Sequence, residues 1–116
     1  MDRNPQALHA PQGARVLEVI WDDGQASLYR HRDLRAFCPC AHCQGHHGAI
    51  RWVEESAALS DEALELKEIL EVGSYALRLV WGDGHATGIY SFVYLEQLAP
   101  LYAQSEDERK TRTFGR

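Results

Sequence analysis

No apolar run in the 116 residues approaches the roughly 18 needed to cross a bilayer. The opening stretch Met1-Asp2-Arg3-Asn4-Pro5-Gln6 lacks the apolar core of a signal peptide, so a cytoplasmic location is expected. Basic residues are outnumbered: 12 Lys and Arg stand against 17 Asp and Glu, for a net charge of -5. That balance argues against a nucleic-acid binder and against an anionic membrane surface. Cysteine is scarce too, with three residues, all between Cys38 and Cys43. An odd, tightly spaced set makes a poor disulfide framework, and a cytosol keeps thiols reduced. The chain is short for a jelly-roll oxygenase, a kinase or a nucleotide-binding oxidoreductase. No nucleophile–base pair stands out either. A non-catalytic binding module with a protein partner is therefore expected before an enzyme.

What is present is ordinary globular material, 45% hydrophobic and 25% charged. Residues 1–13 hold Pro5, Pro11 and Gly13 with few apolar anchors and read as a flexible arm. Val16 to Trp21 reads as a strand, Asp22-Asp23-Gly24 as a hairpin turn and Gln25 to Tyr29 as the returning strand. His31 to Phe37 suits a short helix. Residues 44–60 favour loop, with a strand fragment at Arg51-Trp52-Val53 and a capped turn at Ser60. The stretch from Leu66 to Val72 mixes two periods; the break at Gly73-Ser74 favours a strand. Tyr75 to Trp81 and His85 to Tyr90 read as strands about the turn Gly82-Asp83-Gly84. Ser91 then caps a helix through Leu98, which Pro100 interrupts. Residues 105–116 are polar, with only Phe114 as an anchor, and read as a flexible tail. The domain is thus expected over residues 14–104.

An internal duplication organises this pattern. Val19-Ile20-Trp21-Asp22-Asp23-Gly24-Gln25-Ala26-Ser27 aligns with Leu79-Val80-Trp81-Gly82-Asp83-Gly84-His85-Ala86-Thr87. A tyrosine and a helical leucine follow each copy, Tyr29 and Leu34, then Tyr90 and Leu95. Two hairpin-plus-helix units imply an α+β fold with a mainly antiparallel sheet and short helices against it. Trp21, Trp81, Tyr75 and Tyr90 sit at alternating strand positions and are expected to pack in the core. Glu62, Glu65, Glu68 and Glu71 are expected to form a solvated face.

The chemistry lies in Cys38-Pro39-Cys40-Ala41-His42-Cys43. Three thiolates this close can converge on one metal, and Pro39 stiffens the turn between the first two. A structural zinc takes four ligands, so a histidine is the expected fourth: His42, His46, His47 or the distant His85. His85 has a physical attraction, because a hairpin would hold it rigidly and the metal would tie two parts of the fold together. An iron–sulfur cluster is the alternative cofactor. Redox exchange is a third option, confined to the Cys40–Cys43 spacing. His31-Arg32-Asp33-Leu34 matches the start of a kinase catalytic loop, but Cys38 stands where that loop needs Asn, and no Gly-rich loop precedes it. The His-x-Asp it contains falls on an expected helix, which argues against a catalytic iron there.

Trp21, Asp23-Gly24, Leu28-Tyr29, Leu34-Arg35 and the run from Cys38 to Gly45 resemble one signature of the gamma-butyrobetaine hydroxylase-like N-terminal domain, also called the DUF971 family. Val72 to Leu77 and Trp81 to Tyr90 resemble its second signature, in the right order. The resemblance covers about Pro11 to Tyr102. It implies a small α+β domain holding a structural zinc through three Cys and one His, here Cys38, Cys40, Cys43 and His85. In eukaryotic hydroxylases the domain precedes a 2-oxoglutarate- and iron-dependent oxygenase domain. It is also found fused to P-loop ATPases of iron–sulfur cluster assembly, and as short bacterial proteins. This sequence looks like the last kind, so hydroxylation is not carried over. The resemblance leaves two functions open: a zinc-holding interaction or adaptor module, or an iron- or cluster-handling accessory protein.

Overall fold

A computed structural model describes residues 3–46 and 48–115. Within these residues β1 (Pro5–His9), β2 (Val16–Trp21) and β3 (Ala26–Arg30) form an antiparallel sheet in that order. Then come α1 (His31–Ala36), α2 (Ala41–Gln44), β4 (Ile50–Arg51) and α3 (Glu54–Ala57). A second antiparallel sheet follows, from β5 (Leu66–Val72), β6 (Ala76–Trp81) and β7 (Ile89–Ser91). The chain ends in α4 (Phe92–Leu98), a 3-10 turn (Ala99–Ala103), α5 (Glu106–Lys110) and β8 (Thr113–Phe114), which pairs with β4. The fold is α+β and its pairings are antiparallel, divided between two three-stranded sheets and a short ribbon.

The strands form because every second side chain is apolar. Leu17, Val19 and Trp21 on β2 are fully buried, as are Leu79 and Trp81 on β6. Ser91 caps α4, its hydroxyl accepting from the Tyr94 N–H at 3.0 Å. Pro100 ends that helix by starting a tighter turn.

The duplication is geometric as well as sequential. Gly24 and Gly84 take φ of 85° and 87°, which their turns require and a side chain resists. In each turn the tryptophan backbone N–H donates to the backbone carbonyl four residues on, Trp21 to Gln25 at 2.8 Å and Trp81 to His85 at 2.9 Å. An arginine lies over each tryptophan and pairs with the turn aspartate. Arg3 does so at Trp21 and Asp23, Arg35 at Trp81 and Asp83. The tyrosines are reciprocal: Tyr29 donates to the Leu95 carbonyl at 2.7 Å, and Tyr90 to the Leu34 carbonyl at 2.6 Å. Each unit thus closes a helix of the other.

Several expectations need correction. The segment read as an arm carries β1, with Pro5 at the start of an edge strand where a missing N–H is tolerated. The segment read as a tail carries α5 and β8. Phe114 is buried against Phe37 and Tyr94, and Ser105 and Glu108 form a capping box. Residues 85–88 are not a regular strand, and β7 begins only at Ile89. Tyr75 is 57% exposed, at the turn before β6, whereas Trp21, Trp81 and Tyr90 are buried as expected. Glu62, Glu68 and Glu71 face solvent, and Glu65 is half-buried beside Arg15.

Candidate metal centre

The thiol loop leaves the C-terminus of α1, where a helix has carbonyls without intrahelical partners. Two buried tyrosines take them: Tyr90 bonds the Leu34 carbonyl and Tyr94 the Phe37 carbonyl, both at 2.6 Å. Cys38 follows at once and is fully buried. Its Sγ lies so near Gly88 that a Cβ there would stand 2.7 Å from it. Gly88 is therefore needed for close approach. Cys40 then starts the short α2, and the Cys43 N–H donates back to the Cys40 carbonyl at 3.1 Å. Gln44 holds the far side of the loop through its side-chain amide, bonding both the N–H and the carbonyl of Arg51.

His85 arrives from the second hairpin. Its Nε2 lies 3.5, 3.7 and 3.6 Å from the Sγ atoms of Cys38, Cys40 and Cys43. The four ligand atoms lie within 4.8 Å of one another. One ring nitrogen has a single lone pair or a single proton, so it cannot hydrogen-bond three thiols at once. A tetrahedral ion explains the near-equal spacing. Bonds of about 2.3 Å to sulfur and 2.0–2.1 Å to nitrogen put N and S about 3.5 Å apart. The residues therefore fit a single four-coordinate metal ion.

The local electrostatics suit such a ligand set. Burial, with a smaller contribution from Arg35, lowers the His85 pKa, which favours the neutral imidazole that can ligate. Burial raises the Cys38 thiol well above its ordinary value and also lifts Cys43. At Cys40 burial pulls the same way, but hydrogen bonding by Thr87 and the Cys43 N–H, with the neighbouring thiols, outweighs it and lowers the pKa. Two of the three thiols thus resist ionisation without a cation among them. A metal ion supplies that charge.

An outer layer aims His85. Arg35, nearly buried, makes a two-pronged bond to Asp83 at 3.1 and 2.8 Å. Asp83 in turn accepts the backbone N–H of His85 at 3.1 Å, which fixes the turn that carries the ring. The pairing with Arg35 holds the Asp83 carboxyl down at about 2. Asp83→Ala is expected to weaken metal binding at this cluster by about tenfold, the low end for outer-layer changes, because the His85 turn loses its tether. Competition against a chromophoric chelator reads this; unchanged affinity would remove Asp83 from the site.

Of the other candidate ligands, His42 is exposed on α2, its ring 6.2 Å from that of His85. His46 is exposed and outside the four-atom set, and His47 lies outside the described residues. His31 and Asp33 are committed elsewhere. The His31 ring Nδ1 bonds the Leu64 carbonyl, and Asp33 pairs with Arg109. Sequence reasoning missed Arg35, Asp83, Gly88 and the tyrosine hydroxyls. The register of the duplication held a signal for two of them, since Asp83 repeats Asp23 and Tyr90 repeats Tyr29.

No helix among the described residues is long and apolar enough to cross a membrane. Residues 8–96 match the family described as gamma-butyrobetaine hydroxylase-like, N-terminal. A DUF971-family protein of unknown function from Acidithiobacillus ferrooxidans, solved by crystallography, is similar at 32% identity with a TM-score of 0.58. That alignment covers 83% of this chain and 92% of the other. A solution NMR structure is similar at 31% identity and TM-score 0.66, covering 86% of this chain and 71% of the other. A second NMR structure is similar at 27% identity and TM-score 0.61, covering 89% and 81%. With its duplicated hairpins and its Cys3His cluster inside the matched span, the chain belongs to the gamma-butyrobetaine hydroxylase-like N-terminal family.

Proposed function

We propose that the protein is a non-catalytic zinc-binding module that serves a protein partner. The observation that carries this reading is the placing of His85 Nε2 at 3.5–3.7 Å from all three thiol sulfurs. A Cys3His set is a standard closed structural zinc shell, whereas catalytic zinc keeps a position open for water or substrate. The partner part of the proposal is supported by exposed Tyr75, Ile89 and Val93. They line a groove of about 480 Å³ that begins beside Pro39 of the thiol loop.

One observation favours a second reading, iron handling. Cys40, Cys43 and His85 are only half-buried, and Cys43 and His85 border an open cleft. An exchangeable ion would need such access. A multi-iron cluster is disfavoured, because it spreads its ligands over separate irons while these four atoms lie within 4.8 Å.

Elemental analysis of protein purified under reducing conditions tests the proposal. One zinc per chain is expected. Cys40→Ser and His85→Ala should each weaken zinc by more than the roughly 10–100-fold of outer-layer changes. Full zinc retention in both variants would refute the site. Anaerobic iron uptake with a visible thiolate charge-transfer band, in protein that holds no zinc, would favour the second reading.

A further inference from the structure

We propose that Cys40 and Cys43 form a reversible oxidation site, closing to a disulfide under a hydroperoxide and so removing two of the four metal donors. The inference rests on the Cys3His reading and adds a mode of regulation to it.

The geometry singles out this pair. The Cys43 N–H bonds the Cys40 carbonyl at 3.1 Å, a three-residue turn. Such a turn holds its end Cα atoms within about 7 Å. Disulfides ask for about 4.4–6.8 Å between Cα atoms. The two Sγ atoms already lie within 4.8 Å of each other. Both residues are partly exposed, and Cys43 lines a cleft of about 560 Å³ with Arg35, His42, Glu55, Asp83 and His85. Cys38 Sγ lies inside the same 4.8 Å set, but the residue differs in burial and in chain spacing. It is 0% exposed, and Gly88 and Tyr90 wall it in. Only Pro39 separates it from Cys40, and the fixed φ of proline stiffens that short link. A small oxidant therefore reaches Cys43 from the cleft, has Cys40 beside it as the resolving thiol, and does not reach Cys38.

The chemistry balances in two steps. The Cys43 sulfur, a thiolate in the metal-loaded protein, attacks the hydroperoxide. The O–O bond breaks, an S–O bond forms, and the leaving oxygen takes a proton from solvent, giving an alcohol, or water when the oxidant is hydrogen peroxide. The product at Cys43 is a sulfenic acid. Cys40 thiolate then attacks the Cys43 sulfur. An S–S bond forms, the S–O bond breaks, and hydroxide leaves as water after protonation. The two sulfurs together lose two electrons and the peroxide gains them. Cys38 and His85 remain, and two donors do not complete a four-coordinate zinc shell. A dithiol reductant reverses the disulfide by exchange.

The test uses the full chain, loaded with zinc and assayed for zinc before oxidation. Hydrogen peroxide is added anaerobically with a chromophoric chelator present. The protein is then denatured, alkylated and digested with trypsin. Peptide 36–51 carries all three cysteines, and its fragment masses locate the alkylated one. The expected result is release of one zinc per chain, loss of two hydrogens from the peptide, and alkylation at Cys38 alone. Dithiothreitol with added zinc should restore the starting state. Retention of zinc with all three cysteines alkylated would overturn the proposal. So would a disulfide that includes Cys38, or chains cross-linked to each other. If the protein takes up no zinc at loading, the metal reading fails at that step. Oxidising the same metal-free chain then still decides whether Cys40 and Cys43 close.

Discussion

If the Cys3His cluster holds zinc as proposed, stripping the metal with a chelator is expected to lower the thermal midpoint by about 15 °C. A ligand held only by the folded state adds about 4 kcal/mol when its free concentration is a thousandfold above Kd. For a domain of about 100 residues, each kcal/mol moves the midpoint by roughly 4 °C. The structure indicates where the loss concentrates. Ala41 and His42 of α2 are exposed, and residues 85–88 lie outside the regular strand that follows. Little apolar burial holds these segments to the core. The hairpins, by contrast, keep Trp21, Trp81 and their partners without any ion. Hydrogen exchange should therefore accelerate first at residues 40–46 and 85–88, and least in β2 and β6. A midpoint that moves by less than about 2 °C after verified metal removal would show that the ion does not staple the fold.

Arg109→Met is expected to cost about 3 kcal/mol, the lower end for breaking a buried ion pair by removing one partner. Arg109 and Asp33 meet at 2.9 Å with side chains 8% and 6% exposed. Burial raises the Asp33 carboxyl above its ordinary value, and Arg109 and Arg30 act against that rise. Arg30 also contacts Asp33, at 3.3 Å, and the substitution leaves that residue in place, which is why the lower end applies. The pH dependence has a definite sign. Without Arg109 the folded-state pKa of Asp33 rises further above its unfolded value. The folded state then binds more protons than the unfolded state between those two values. The deficit of the variant should therefore shrink as pH falls from about 7 to about 4.5, where a protonated Asp33 needs no cation. Urea unfolding of wild type and variant at both pH values measures this. A deficit that is equal or larger at the lower pH would place the cost in lost packing around Arg109 instead.

The same ion pair explains part of what the sequence concealed. Residues 105–116 look like a polar tail because the contact that seats α5 joins positions 76 apart and no local pattern announces it. β1 was hidden for a related reason: it is an edge strand opened by Pro5, and its half-buried pattern is weak. The hairpin turns were legible because their chemistry is local, an aspartate followed by a glycine at positive φ. The thiol cluster was legible from spacing alone. Its fourth member was less local: four histidines satisfied the donor rule, the register of the duplication gave His85 a physical advantage, and the family resemblance pointed to the same residue, which the structure brings to the thiols. The exposure of Tyr75 escaped detection because strand alternation does not reveal which residue falls on the turn itself.

The reciprocal tyrosines carry a last consequence. Tyr29 reaching Leu95 and Tyr90 reaching Leu34 is the bonding scheme of a two-fold dimer, contained within one chain. In a true symmetric dimer any change at one end recurs at the other. Here the halves are separately encoded, so each end can take on different work. One end spends its arginine-clamped turn on the N-terminal segment, where Gln25 accepts from Arg3 at 3.1 Å. The other places His85 at the equivalent position and turns it toward three sulfurs. Covalent fusion of the halves is what permits a single Cys3His cluster in a scaffold that offers two matching corners.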